Sequence, residues 1–277
     1  MAHIYATLAE ANDYARDAGS TTFAAESALI IARKLAPLAA VSRRIDAWCA
    51  RSQFGSGFGP RLGTNVYDGQ SESRLYLGDD LISYTSGTVA GQTGGTGVAI
   101  VESTDFYLEP ASRAQKRWLR LHGLTSVTVG AGYRIWSLLG SWGYEDRRVT
   151  LTTLGAAISS TTATTITLAA AGSPGMTLLV DSEQMYMTAG TTTATVTRGA
   201  NGSTAATHSN GATVQRYLYD AAAHDVCLRL YLRRWRGRDA GADGSDGGGD
   251  VPGTIPREGE DTILRRGLGQ LRVWGTG

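Results

Sequence analysis

Four histidines (His3, His122, His208, His224) and two cysteines (Cys49, Cys227) are the side chains best suited to hold a metal or move a proton, and they lie scattered along the chain. A zinc centre draws three or four such ligands together, so no metal site is expected. His224-Asp225 has the form of a metal-hydrolase dipeptide, but without further His and Asp partners it reads as a polar pair at a helix start. The run Gly55-Ser56-Gly57-Phe58-Gly59 lacks the Lys-Ser/Thr ending of a phosphate-binding loop and reads as a linker. No Gly-x-Ser-x-Gly elbow occurs, and the carboxylate pair Asp79-Asp80 is assigned to turn chemistry at a strand end. No catalytic residue and no cofactor is therefore expected.

The concentrated chemical feature is a group of arginines: Arg229, Arg233, Arg234, Arg236 and Arg238. Two readings stay open. One is a solvated helix face whose positive end complements the helix dipole; the other is a surface facing a neighbouring subunit or DNA. No interleaved aromatic platform accompanies the cluster, so base-specific reading of nucleic acid is not expected.

Those arginines need elements to carry them. Leu228, Tyr231, Leu232 and Trp235 recur at helical spacing, which predicts a helix over 221–235 with Arg229, Arg233 and Arg236 on its other face. A second stripe, Ile31, Leu35, Leu38, Val41, Ile45 and Trp48, predicts a long helix ending at Phe54. Arg33, Lys34, Arg43, Arg44, Asp46 and Arg51 fall off that stripe, and Pro37 predicts a kink or restart within it. Thr7 and Glu10 have capping-box spacing for a preceding helix over about 8–18, with Thr22 capping the next, and the short connection makes the two antiparallel.

Between the helical segments the pattern is β. Val66-Tyr67 and Leu75-Tyr76-Leu77 flank Asp68-Gly69 and predict a hairpin. Residues 86–97 read as a mobile Gly/Thr loop, with strands at 98–101 and 106–108, a run through Trp118, Leu119 and Leu121 towards Val127 and Val129, and a glycine-bearing strand over 136–144. From 149 to 216 charges nearly vanish and Thr, Ala and Gly dominate; strands at 165–168, 177–180, 185–188 and 195–197 predict an inserted β module. Residues 239–259 form a Gly/Asp linker, after which Ile263, Leu264, Leu268 and Leu271 make an apolar edge ending at Trp274. That segment is too short and too glycine-bearing to be helical alone, so it must dock on something.

Composition sets the outer bounds. The chain has 277 residues, 42% of them hydrophobic, enough to bury a core, and its formal charge of +1 balances 26 basic against 25 acidic residues. No global field recruits nucleic acid. Lysine appears only at Lys34 and Lys116; the Arg bias suits planar contacts with protein or phosphate, and a GC-rich genome accounts for it equally well. The separated cysteines predict a reducing compartment, and the lack of a leader or a long apolar run predicts synthesis in the cytosol with no membrane partner.

The order of motifs resembles the head–tail connector (adaptor, or head-completion) proteins of long-tailed bacteriophages. The residues that carry the resemblance are RRIDAWCARSQF, with Ile45, Asp46, Cys49, Arg51 and Phe54 at the family's places, and YDGQSESRLYLGDDLISYTSGTV, with Leu75, Leu77, Asp79, Asp80, Leu81 and Ile82. YLEP and GSWGY follow, and the likeness resumes at Ala221. The chain departs from the family where the 149–216 module intervenes, itself similar to a small β domain of phage virion proteins through DSEQMYMT and TVTRGANGSTAATH.

The resemblance implies a non-enzymatic dodecameric ring beneath a portal protein, joined on its tail side to a stopper or tail-terminator protein, with genomic DNA passing through. The virion neck is the implied location. Taken with the residue patterns, the expected fold is α+β: an N-terminal αα-hairpin (1–54), a β-rich connector region (55–148), the inserted all-β module (149–216), an Arg-rich helix completing a helical bundle (217–238), the linker (239–260) and a docking segment (261–277). Ile263, Leu264, Leu268, Leu271 and Trp274 are the expected portal anchors; Arg43, Arg44, Arg51, Arg229, Arg233 and Arg236 are the expected subunit or DNA-channel contacts. A competing expectation is a virion-surface protein that binds a host glycan or another virion protein through the β module, using exposed aromatics such as Tyr186.

Overall fold

The computed structural model describes residues 3–17, 28–50, 57–70, 73–91, 95–122, 131–242 and 260–271. Among them are four helices and two antiparallel sheets, each of six strands, a larger strand content than the sequence pattern suggests.

Helix α1 spans Leu8–Asp17. Its start is the predicted capping box: Thr7 Oγ1 accepts from the Glu10 amide at 3.2 Å while the Glu10 carboxylate accepts from the Thr7 amide at 2.8 Å. Helix α2 spans Ala28–Trp48 and runs through Pro37 without the expected restart. Leu35, Leu38, Val41 and Ile45 are buried as the stripe requires, and Trp48 is half-buried against the same cluster. Two residues expected on its polar face, Lys34 and Asp46, are buried as well. The reason is that α2 is covered on more than one side. Lys34 reaches Asn12 of α1 at 3.4 Å and lies over the Trp235 ring at 5.4 Å. Trp235 belongs to α3, Ala221–Ala242, whose first amides are capped by Asp220. Helix α3 thus continues past residue 238 into residues whose composition predicts the linker. The last helix, α4, is Glu260–Leu268.

The first sheet has the order β1-β6-β2-β5-β4, with β3 on β2. Its strands are β1 (Arg61–Gln70), β2 (Arg74–Val89), β3 (Val98–Ala99), β4 (Phe106–Glu109), β5 (Lys116–Leu121) and β6 (Ala131–Trp142). This corrects the expected hairpin: β6 lies between β1 and β2 and pairs with both. Asp68-Gly69 is no turn; it sits at a register shift inside β1, where Asp68 accepts from the Arg134 amide at 2.7 Å. The predicted mobile loop is also corrected, since Ser86–Val89 pair with β6. Gly140 permits the close β6–β2 approach, because a Cβ there would lie 2.5 Å from the Ser83 carbonyl oxygen. Val127 and Val129 lie outside the described residues, as do Thr22 and Phe54.

The second sheet is the predicted module: β7 (Arg147–Thr153), β8 (Thr165–Thr167), β9 (Thr177–Val180), β10 (Glu183–Gly190), β11 (Thr193–Thr197) and β12 (Thr213–Leu218), in the order β7-β12-β9-β10-β11-β8. The strands over 165–197 fall where Thr-rich alternation places them. The closing pair β7–β12 was not marked by that alternation.

Three apolar clusters form the core: one shared by the helices and by Tyr186 of β10, and one inside each sheet. Buried polar contacts at the chain start join them. His3 Nε2 donates to the Pro60 carbonyl at 2.9 Å, leaving Nδ1 to accept from the Tyr219 hydroxyl at 2.9 Å. From the module, Gln184 donates to the same carbonyl at 3.0 Å, and Asn201 donates to Gln184 at 2.8 Å. Tyr5 donates to Asp46 of α2 and accepts from the Phe58 amide.

Candidate functional site

The last helix, α4, has a sequence that demands a partner. Ile263, Leu264 and Leu268 are buried in the cluster shared with α2 and α3, and Leu271 packs at its margin. The expected portal anchors are therefore engaged within the subunit, and Trp274 lies outside the described residues. Polar contacts hold the start of α4: Glu260 and Asp261 each lie 3.4 Å from Arg44 of α2, and Glu260 is also 3.4 Å from Arg234 of α3.

The arginines proposed as contacts divide accordingly. Arg43 is turned inward, donating to the His3 carbonyl and pairing with Asp46 at 2.5 Å. Arg44 ties α2 to α4 and is still 46% exposed. Arg229 pairs with Asp225 one turn back at 2.9 Å, both half in solvent, and Arg233 is exposed. Arg236 lies on α3, and Arg51 is outside the described residues. Arg43, Arg44 and Arg229 thus have separate acidic partners: Asp46, the start of α4, and Asp225.

Two sequence expectations about chemistry change. Asp79 and Asp80 lie within β2 and are buried, with Asp80 accepting from Arg117 Nε at 2.7 Å; they are core charges, not turn residues. Tyr186 is 5% exposed and packs with the helices, so it offers no surface for a glycan.

The module contains a charge cluster that the sequence did not announce. Glu183 is fully buried, and both of its oxygens accept from Arg198 at 2.7 Å. It also accepts from the amides of Gly199 and Ala206 and stands 2.9 Å from His208 Nε2. Burial pushes its carboxyl upward, but the hydrogen bonds from Arg198, Ala206, His208 and Gly199 prevail and bring it down to about 2. Arg198 further donates to the carbonyls of Ser160, Ala163 and Ala206. The cluster fastens two long connections to β10, a structural role.

A second unannounced arrangement lies on the outer face of β2, β5 and β4. Register places Arg74, Arg120 and Tyr107 in one row and Tyr76, Trp118 and Glu109 in the next. The signal was present as i, i+2 alternation, Arg74-x-Tyr76, Tyr107-x-Glu109 and Trp118-x-Arg120, but it was split over three strands.

Among the described residues no group of three or more His, Cys, Asp or Glu side chains could hold a metal ion, and no helix is long and apolar enough to cross a membrane. Compared with known protein families, curated proteins and solved structures, the chain matches none.

Proposed function

We propose that this chain is a structural subunit of a phage neck: a head–tail connector that assembles as a closed ring between a portal protein and a tail-side stopper or terminator. The helices act as a bundle that holds the two β units, and genomic DNA passes through the ring. The reading is non-enzymatic.

One observation supports it beyond the sequence resemblance. Large apolar side chains are exposed in separate places: Leu29 (61%) and Ile30 (42%) at the start of α2, and Val98, Val101 and Tyr133 at the end of the first sheet where β3 and β6 begin. A ring joins each copy to the next through two unlike patches, whereas a two-fold dimer uses one self-complementary patch. Residues Ile45, Asp46 and Cys49 of the resembling motif are buried in the joint between the helices and Phe58. That motif thus serves the subunit's own architecture.

Native mass spectrometry and negative-stain microscopy of the full chain test the reading. Rings, or monomers that form rings on portal-bearing heads, are expected. A chain that stays monomeric at high concentration and on portal-bearing heads overturns it.

A further inference from the structure

We propose that the outer face of β2, β5 and β4 is a binding platform for single-stranded nucleic acid. The pleat turns Leu75, Leu119, Phe106 and Leu108 into the core and leaves the opposite face to the two rows of arginines, aromatics and Glu109. Arg74 and Arg120 have 51% and 54% of their side chains exposed, and Tyr107 is 46% exposed. Trp118 stands 4.8 Å from Tyr76 between ring centroids, and Tyr107 stands 5.1 Å from His122. Aromatic pairs therefore alternate with cations across one sheet face.

The electrostatics are unusual for a merely solvated face. Arg74 and Arg120 are directly opposite each other, an arrangement that like charges disfavour. The carboxylate of Glu109 relieves it, lying 3.1 Å from Arg74 and 3.6 Å from Arg120. Half-buried Lys116 and Arg117 line the same clefts as Arg74 and Arg120, against Glu109 and Glu102. The excess is cationic.

Two open clefts flank Glu109, of about 720 Å³ beside Tyr107, Arg120 and His122, and about 550 Å³ beside Arg74, Pro110 and Trp118. Both are within the roughly 300–1,000 Å³ of small-ligand clefts, large enough for a nucleotide each. Every base offers a π-face to an aromatic ring, and a guanidinium matches phosphate geometry. A duplex hides its base faces, so the arrangement favours a single strand. A neutral glycan would make no use of the cations. The face belongs to one subunit, so this inference does not depend on ring formation.

The test is fluorescence anisotropy of the full chain with a labelled oligothymidylate of about fifteen nucleotides, over a range of salt. Binding that weakens as salt rises is expected, with a duplex of similar length binding at least about tenfold more weakly. Trp118→Ala and Tyr107→Ala should each weaken binding by about fivefold or more, Arg120→Ala should flatten the salt dependence, and Glu109→Gln should tighten binding. Thermal melts of each variant separate loss of the site from loss of the fold, and Tyr107, being exposed, is the substitution least able to disturb the fold. Absence of binding at low salt overturns the proposal. So does equal binding of single strand and duplex with no effect at Tyr107 or Trp118, which would show only non-specific attraction of an anion, a sulfated polysaccharide included.

Discussion

Gly267 of α4 lies so close to Val226 of α3 that a Cβ added to it would fall 2.2 Å from Val226 Cγ2. The contact explains how a nine-residue helix, too short to persist alone, holds its place. Without a side chain at 267, Ile263, Leu264 and Leu268 can settle fully into the shared core.

Gly267→Ala should therefore loosen α4 despite alanine's better helix propensity. Overpacking of this kind costs about 1–3 kcal/mol. Hydrogen exchange should show faster exchange at 260–268 with little change in either sheet, and Val226→Ala in the same chain should restore protection. Unchanged exchange in the single variant would show that the contact relaxes freely.

Arg44 offers the opposite case. Its pairs with Glu260 and Asp261 are long and nearly half in solvent, so Arg44→Ala should change stability by less than about 1 kcal/mol. If Arg44 also meets a neighbouring copy, ring formation falls while the melting temperature stays; an equal loss of both would assign it to the subunit alone.

Glu183 concentrates the module's stability in one group. Glu183→Gln leaves Arg198 buried beside a neutral amide and should cost about 3–5 kcal/mol in urea unfolding. The wild-type contribution has a definite pH window. Its folded carboxyl is held at about 2 against an ordinary 4.5, so the stabilisation is complete above pH 4.5 and disappears as pH falls towards 2. The Gln variant should lose that part of the acid dependence.

His3 predicts a second, earlier window. Burial, the largest influence, lowers it from 6.5 to about 4, overcoming the hydrogen bond to Pro60. Above pH 6.5 the imidazole is neutral in both folded and unfolded chains; between 6.5 and 4 only the unfolded chain takes up the proton, and stability falls. The loss should approach roughly 3 kcal/mol at about 1.4 kcal/mol for each unit. Urea midpoints at several pH values, compared between wild type and His3→Gln, check this: the wild-type slope should exceed that of the variant.

Local order was legible wherever neighbours along the chain carried it. The Thr7–Glu10 box, the α2 stripe, the α3 stripe and the Thr-rich strands each rely on contacts within a few residues or on a simple period, and they stand where the sequence puts them. What the sequence withheld was partnership between distant segments. Asp68-Gly69 has the form of a hairpin turn, yet pairing by β6, more than sixty residues on, keeps both residues in a strand, because the hydrogen bonds of an extended sheet outweigh a dipeptide's turn preference. Lys34 and Asp46 look like solvent residues on a helix wheel, and only the arrival of α1, α3 and Tyr5 on their side of α2 buries them.

The candidate surfaces follow the same division. The sequence by itself determined that a C-terminal apolar edge must dock, since so short a helix cannot stand in water; the tertiary structure decided that its seat is the chain's own α2 and α3. It likewise supplied the arginines and aromatics of β2, β4 and β5 as unremarkable alternations. Only the register of three strands, two of them adjacent to β5 from opposite sides, set Arg74 against Arg120 and Tyr76 against Trp118 and made one face of them. Strand order is settled by which apolar faces close over a common core, a property of the whole chain that no short stretch contains.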